Sequence, residues 1–193
     1  MLQHIIASAR SCRLCEAHLP LGPKPVFVVR EGARLLIVGQ APGRRVHDTG
    51  IPWNDPSGDN LRAWLAMGRE AFYGCARIAI IQAGLCYPGS GPRGDLPPRP
   101  ECAPTWQPRF RAALPRIRLT LLVGQYAQAY YLGKRRRKTL ADTVRAWREY
   151  APEFFPLPHP SPRNRLWLKR NPWFERDAVP ALQRRVQEIL GSE

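Results

Sequence analysis

Four short apolar runs constrain this chain more than any other feature. They are Leu35-Leu36-Ile37-Val38, Ile78 to Ile81, Leu119 to Val123 and Phe154-Phe155-Pro156-Leu157. None alternates apolar with polar residues, which is the pattern of strands buried on both faces of a parallel sheet. Two of them run straight into glycine, Gly39 and Gly124, where the backbone can turn sharply. Helical spacings lie around them. Leu2, Ile5, Ile6 and Ala9 open the chain. Leu61, Trp64, Leu65 and Gly68 share one face of a helix from about Ser57, capped by Ser57 or Asp59. A short helix is predicted over Arg109 to Leu114, and another after Gly124 carries Ala127, Tyr130, Tyr131 and Leu132. The end is helical, with Asn171 capping, Pro172 at the first position and Pro180 restarting the helix. Strand, loop, helix, repeated, predicts an α/β fold: three α/β/α layers around a mostly parallel four-stranded sheet. Ligand sites in such sheets lie at the carboxyl ends of the strands. Gly39-Gln40-Ala41-Pro42-Gly43, Gln82 with its loop, and His159-Pro160-Ser161 fall there.

The 193 residues suit one domain over 1–193, and 44% hydrophobic content is enough for a core. Thirty Lys and Arg against fifteen Asp and Glu give a formal charge of +15, so a polyanion, most often nucleic acid, is the expected partner. The longest apolar runs are strand-length, too short to cross a membrane. The N-terminus has no apolar signal region, so the expected compartment is the cytoplasm and no membrane partner is expected. Five cysteines there do not read as a disulfide framework.

Cys12 and Cys15 have the spacing of one chelating turn. Cys86 and Cys102 sit in the longest irregular stretch, Gly84 to Pro108, which otherwise lacks a reason to be ordered. Four thiolates suit either a tetrahedral zinc ion or a [4Fe–4S] cluster, and composition does not separate the two. Cys75 reads as an ordinary packed cysteine. The segment His47 to Gly58 gathers His47, Asp48, Trp53 and Asp55 in one loop. After His159-Pro160-Ser161-Pro162, the tail Arg163 to Arg170 interleaves cations with apolar side chains. That suits phosphate contacts plus a side chain pushed into a base stack.

Taken in order, these elements resemble the uracil-DNA glycosylase superfamily, closest to its iron–sulfur branch, family 4, with relatives families 5 and X. The resemblance runs from Cys12 to the C-terminal helix. It is carried by Gly39-Gln40-Ala41-Pro42-Gly43, by His47-Asp48-Thr49-Gly50-Ile51-Pro52-Trp53 with Ser57-Gly58, and by Leu121-Leu122-Val123-Gly124. His159-Pro160-Ser161 and the cysteines Cys12, Cys15, Cys86 and Cys102 complete it. It implies a DNA repair enzyme that flips uracil out of single- or double-stranded DNA and hydrolyses its glycosidic bond. That would be a monofunctional glycosylase, acting as a monomer, with a structural [4Fe–4S] cluster (zinc the alternative). The chain departs from the pattern in carrying Gln40 for a glutamate, Gln82 for an asparagine and Trp53 for a phenylalanine, followed by Asn54 and Asp55.

The resemblance also implies roles. Trp53 stacks on the flipped base, and Gln82 and the backbone of Gln40 and Ala41 read its edge. His159 donates to the O2 of the leaving base. With an amide at 40, the carboxylate near the sugar is Asp48, which matches the family's acidic position, or Asp55, which is nearer the ring. His47 is a further candidate base. DNA contacts fall to Arg44, Arg45, the Lys134–Lys138 run, Arg163 and Arg165, with Leu166 or Trp167 as the wedge. Two rivals remain: a non-catalytic binder of uracil-containing or abasic DNA, and a zinc-stapled RNA-binding protein. The histidine loop of the covalent family X enzymes is not evident.

Overall fold

A computed structural model describes residues 1–92 and 94–191. In chain order the regular elements are α1 (Leu2–Arg10), β1 (Leu35–Val38), α2 (Arg44–Thr49), α3 (Pro56–Trp64), α4 (Arg69–Gly74) and β2 (Ile78–Ile80). A hairpin of β3 (Ser90–Gly91) and β4 (Gly94–Asp95) follows. Then come α5 (Cys102–Ala113), β5 (Leu119–Val123), α6 (Gln125–Leu132), α7 (Leu140–Arg145), β6 (Phe154–Leu157), α8 (Arg165–Arg170) and α9 (Val179–Gly191). The four long strands form one sheet in the order β2-β1-β5-β6. Every pairing is parallel, with Leu35 beside both Ile78 and Leu119, and Thr120 beside Phe154.

The absence of alternation in the strands is explained by the layers on either side. Leu35, Ile37, Leu121 and Leu157 face Leu61 and Trp64 of α3 and Leu182, Val186 and Ile189 of α9. Leu36, Val38, Ala79 and Leu122 face Ala9 of α1, Trp106 and Phe110 of α5, and Ala127 of α6. Both faces of each strand are therefore core, and the fold is the expected three-layer α/β/α arrangement. No helix among the described residues is long and apolar enough to cross a membrane.

Three local expectations are corrected. The cap of α3 is Asp55, whose Oδ1 accepts the Gly58 N–H at 2.8 Å, rather than Ser57 or Asp59. Pro56 takes the first helical position, where a missing N–H costs nothing. The stretch from Gly84 to Pro108 is less irregular than its prolines imply. It contains the β3–β4 hairpin, and α5 begins at Cys102 and runs through Pro108. Pro104 falls in the first turn of α5, and Pro108 removes only the bond to the carbonyl four residues back. Third, the C-terminal helix does not break and restart at Pro180. Wide π-type turns over Phe174–Ala178 lead directly into α9. Proline has no N–H to give, so a locally wider turn accommodates it without an orphaned donor.

Candidate active-site cleft and cysteine cavity

A cleft of about 700 Å³ opens at the carboxyl ends of the strands. That size suits a small ligand or one extruded nucleotide. Its floor is the turn after β1, Gln40 to Gly43, and the segments after β2, β5 and β6 bring Gln82, Gln125 with Tyr126, and His159 to its walls. Buried amides fix the strand ends beneath it. Gln107 Nε2 donates to the Gln82 carbonyl at 2.9 Å, and Gln128 Nε2 donates to the Leu157 carbonyl at 2.9 Å. Backbone bonds from Ala83 N to Gly39 O (3.0 Å) and Gly84 N to Gln40 O (2.8 Å) carry the β1–β2 pairing past the strands into the cleft.

The base-reading candidates converge. Gln82 is buried, and its Oε1 accepts the Gly39 N–H at 2.5 Å. With the oxygen engaged, Nε2 is the amide's remaining polar end, a donor. Trp53 is 4% exposed, so little of its ring reaches the cleft, and the ring lies 5.8 Å from that of His159. Its backbone is held at φ 58, a conformation unusual for a bulky residue. Buried Arg62 holds it there, donating from Nη1 to the Trp53 carbonyl at 3.1 Å. Gly39 allows the close approach: a Cβ there would stand 2.7 Å from Trp53 Cζ2 and inside contact distance of Gln82 Oε1.

His159 stands in a turn tied at both sides. Asn164 Nδ2 donates to its carbonyl at 2.7 Å, and Asn60 Nδ2 donates to the Pro160 carbonyl at 2.7 Å. The Ser161 N–H donates to His159 Nδ1 at 3.2 Å, which places the proton of the neutral ring on Nε2. Burial lowers the imidazole's pKa from its usual value, and the carboxylates of Asp55 and Asp95 pull weakly the other way. A half-buried neutral imidazole with its donor nitrogen fixed can stabilise negative charge growing on a leaving group.

The two carboxylates expected from sequence separate. Asp55 lines the cleft. Asp48 lies outside the cleft lining, on the exposed end of α2, in a salt bridge with Arg44 at 3.0 Å. His47 is buried against Tyr87, at 5.9 Å between rings, and is likewise outside the cleft lining. The cleft residues missed from sequence include Ser90 and Asp95 on the hairpin, Gln125, Tyr126 and Asn164. Tyr126 is partly exposed. Gln40 lines the cleft beside Ala41, and its Nε2 donates to the carbonyl of Leu96 at 3.0 Å and of Asp95 at 3.5 Å. Arg163 lines the cleft rim next to the hairpin, while Arg44, Arg45 and Arg165 are exposed. Leu166 is 56% exposed on α8, whereas Trp167 packs on Phe174 at 5.8 Å between rings.

On the far side of the Gln82–Cys102 segment, Cys12, Cys15, Cys86 and Cys102 line one cavity with Leu19, Pro25 and Trp106. Burial pushes the Cys86 thiol up to about 11 and the Cys102 thiol up to about 12. The Leu85 N–H donates to Cys102 Sγ at 3.3 Å, the Lys24 N–H donates to Cys86, and Arg99 hydrogen-bonds Cys15. Donors aimed at sulfur suit thiolate ligands. Among the described residues, however, no three His, Cys, Asp or Glu side chains stand close enough together to hold a metal ion. Cys75 lies apart, packed against the other core cluster.

A parallel sheet with a cleft at its carboxyl edge, lined by a fixed imidazole and a buried amide, defines an α/β protein with its candidate site where such sheets bind ligands. The chain belongs to the uracil DNA glycosylase superfamily, whose family model matches residues 26–183. Cys12 and Cys15 precede that span, and Cys86 and Cys102 fall within it. Among solved structures, the chain is similar to a solution NMR structure from Methanosarcina acetivorans, provisionally described as a uracil DNA glycosylase. The identity is 16% and the TM-score 0.50, over 82% of this chain and 94% of that one. That likeness is one of fold. Family membership supports a glycosylase-type function acting on DNA.

Proposed function

We propose that this protein excises uracil from DNA by hydrolysing the N-glycosidic bond, leaving an abasic site without cutting the strand. The observation that carries the reading is His159: it lines the cleft with Gln82 and Trp53, and its Nδ1 accepts the Ser161 N–H, which leaves Nε2 as the ring's donor. An extruded uracil has two carbonyl oxygens and a ring face. Gln82 Nε2 suits one carbonyl, the backbone at Gln40 and Ala41 the edge, and the Tyr126 ring, with the small part of Trp53 that reaches the cleft, the face. His159 Nε2–H suits the other carbonyl, O2. As the C1′–N1 bond breaks, its electron pair moves into the base and onto O2, where that donor stabilises it. Water completes the reaction at C1′. Arg44, Arg45, Arg163 and Arg165 are placed to meet phosphates, and Leu166 to fill the space the base leaves.

The four cysteines fit a [4Fe–4S] cluster as ligands. They line one apolar cavity, and N–H donors reach Cys15, Cys86 and Cys102; zinc is the alternative occupant. The cluster's contribution would be a cross-link between the N-terminal segment and the segment that carries Gln82.

The test is alkaline strand cleavage after incubation with single- and double-stranded oligonucleotides carrying one uracil, one hypoxanthine or no lesion. Cleavage at uracil is expected, falling on the order of 10²-fold in His159→Ala, the usual cost of one preorganised donor. Tight binding to uracil DNA with no release of base would instead select the non-catalytic binder.

A further inference from the structure

The cleft holds two carboxylates, and their surroundings differ. Asp55 is occupied by its helix: Oδ1 caps α3 through the Gly58 N–H. Asp95 belongs to the β3–β4 hairpin that reaches over the cleft floor. Its Oδ1 accepts from Ser90 Oγ at 2.8 Å, and Ser90 in turn shares a 2.8 Å hydrogen bond with the Tyr87 hydroxyl. Its Oδ2 lies directly over the turn after β1, 3.0 Å from where a Cβ on Gly43 would stand. Any side chain at 43 would crowd that oxygen, and Asp95, an exposed residue, lines the cleft beside the glycine. Gln40, the first cleft residue after Gly39, clamps the same hairpin through the Asp95 and Leu96 carbonyls. Position 40 thus contributes no carboxylate of its own and holds in place the strand that does. Across the cleft, His159 supplies a donor to the leaving base.

From this juxtaposition we infer that Asp95 is the catalytic base that activates water for attack on C1′, an inference that rests on the excision reading above. The C1′–N1 bond breaks with its electron pair going to the base, leaving an oxocarbenium-like sugar. Water's oxygen bonds C1′ as one of its protons passes to Asp95 Oδ2. That proton returns to the departing uracil anion through solvent, so one water is consumed and neutral uracil and an abasic hydroxyl result. The oxygen bonded to Ser90 keeps the carboxylate oriented throughout.

The experiment measures single-turnover excision from an oligonucleotide carrying one uracil, and affinity for the same oligonucleotide with an abasic site. The wild type, Asp95→Asn and Asp55→Asn are compared, with melting temperatures to confirm folding. Asp95→Asn is expected to slow the chemical step on the order of 10²- to 10⁴-fold, the usual range for a general base, while abasic-DNA affinity changes less than about threefold. Asp95→Ala should show the same split between rate and affinity. Asp55→Asn, whose amide oxygen can still cap α3, should lose less than about tenfold. An Asp95→Asn enzyme within about tenfold of wild type overturns the inference, as does a large loss confined to Asp55→Asn. A wild type that releases no uracil refutes the excision reading itself, a result distinct from an active wild type with an equally active Asp95→Asn.

Discussion

Gly39→Ala is the most searching perturbation of the cleft, because one methyl group would touch both elements assigned to base recognition. Gly39 does not have a positive φ, so alanine brings no backbone strain and the whole effect comes from contacts. The new Cβ would stand 2.7 Å from Trp53 Cζ2 and closer still to Gln82 Oε1. Neither neighbour yields easily. Trp53 is fixed by buried Arg62 and backed by Gly58, where the Trp53 carbonyl already lies against Cα, and Gln82 is held by the Gly39 N–H and by Gln107. Overpacking of this kind costs about 1–3 kcal/mol. Displacing Gln82 would also strand the buried Gly39 N–H, at about 1–3 kcal/mol. The expected destabilisation is about 2–6 kcal/mol, a fall in melting temperature of about 4–24 °C for a chain of this size. Because the two displaced groups are those that meet the base, excision of uracil should fall on the order of 10²-fold or more, while affinity for undamaged DNA stays within a few-fold. Thermal melts, single-turnover excision and binding to a lesion-free duplex measure the three quantities. A Gly39→Ala protein that melts with the wild type and excises at its rate would refute the geometry assigned to the cleft floor.

Two histidines shielded from solvent, His47 fully and His159 in part, make stability depend on pH. Burial lowers the pKa of His47 and of His159 below the ordinary 6.5, so the unfolded chain binds protons there that the folded chain refuses. Their contribution is present above about pH 6.5 and is lost as pH falls toward the depressed folded values, so melting temperature should drop between pH 7.5 and 5.5. His47→Phe should flatten that dependence, and an unchanged slope counts against the burial argument. Lys134, Arg136 and Lys138 line a basic pocket that adjoins the cleft through Gln125 and Leu140. Replacing Lys134 and Lys138 together by alanine should lower the slope of log affinity against log salt by about 1.5 if both meet phosphates, and leave it unchanged if the run is merely solvated. Purified protein should be brown and contain iron, and Cys86→Ser or Cys102→Ser should lose colour, metal and melting temperature together. A colourless protein with one equivalent of zinc selects the zinc site, and a metal-free protein that melts unchanged when the cysteines are replaced removes the site altogether.

The sheet was legible because its signal is local and redundant. Continuous apolar runs ending in Gly39 and Gly124 admit few structures other than buried parallel strands, and they also locate the cleft. The two cysteine pairs, set apart from Cys75 by their spacing, line one cavity, but what it holds was not legible, since four thiolates suit zinc and an iron–sulfur cluster alike. Of the carboxylates, Asp55 was legible as a cleft residue, while the place of Asp48 and of Asp95 was not. Asp48 sits four residues after Arg44, a spacing that pairs them on the exposed face of α2, and that pattern was available as a warning. Asp95 left a fainter trace: Gly91-Pro92 and Gly94 mark a turn, but strands of two residues carry no periodicity, and nothing local says that the turn folds back over Gly43. Alpha-helix α5 was shortened for the opposite reason, because Pro104 and Pro108 were read as breakers when one lies in a first turn and the other costs a single bond.

The segment from Gln82 to Cys102 joins these two outcomes. It starts in the cleft with Gln82, passes Leu85, whose carbonyl accepts the Val26 N–H at 2.7 Å and whose N–H reaches Cys102, and places Cys86 in the sulfur-lined cavity. The next residue, Tyr87, bonds Ser90, and Ser90 bonds Asp95, so the chain returns to the cleft within nine residues of Cys86. Neither β3 nor β4 is long enough to hold a hairpin by its own ladder. Its position is set at one end by Gln40 and at the other by whatever fixes Cys86 and Cys102. A cross-link at the cysteines would therefore act on the cleft without lining it, by removing the freedom of the two side chains, Gln82 and Asp95, that the segment delivers there.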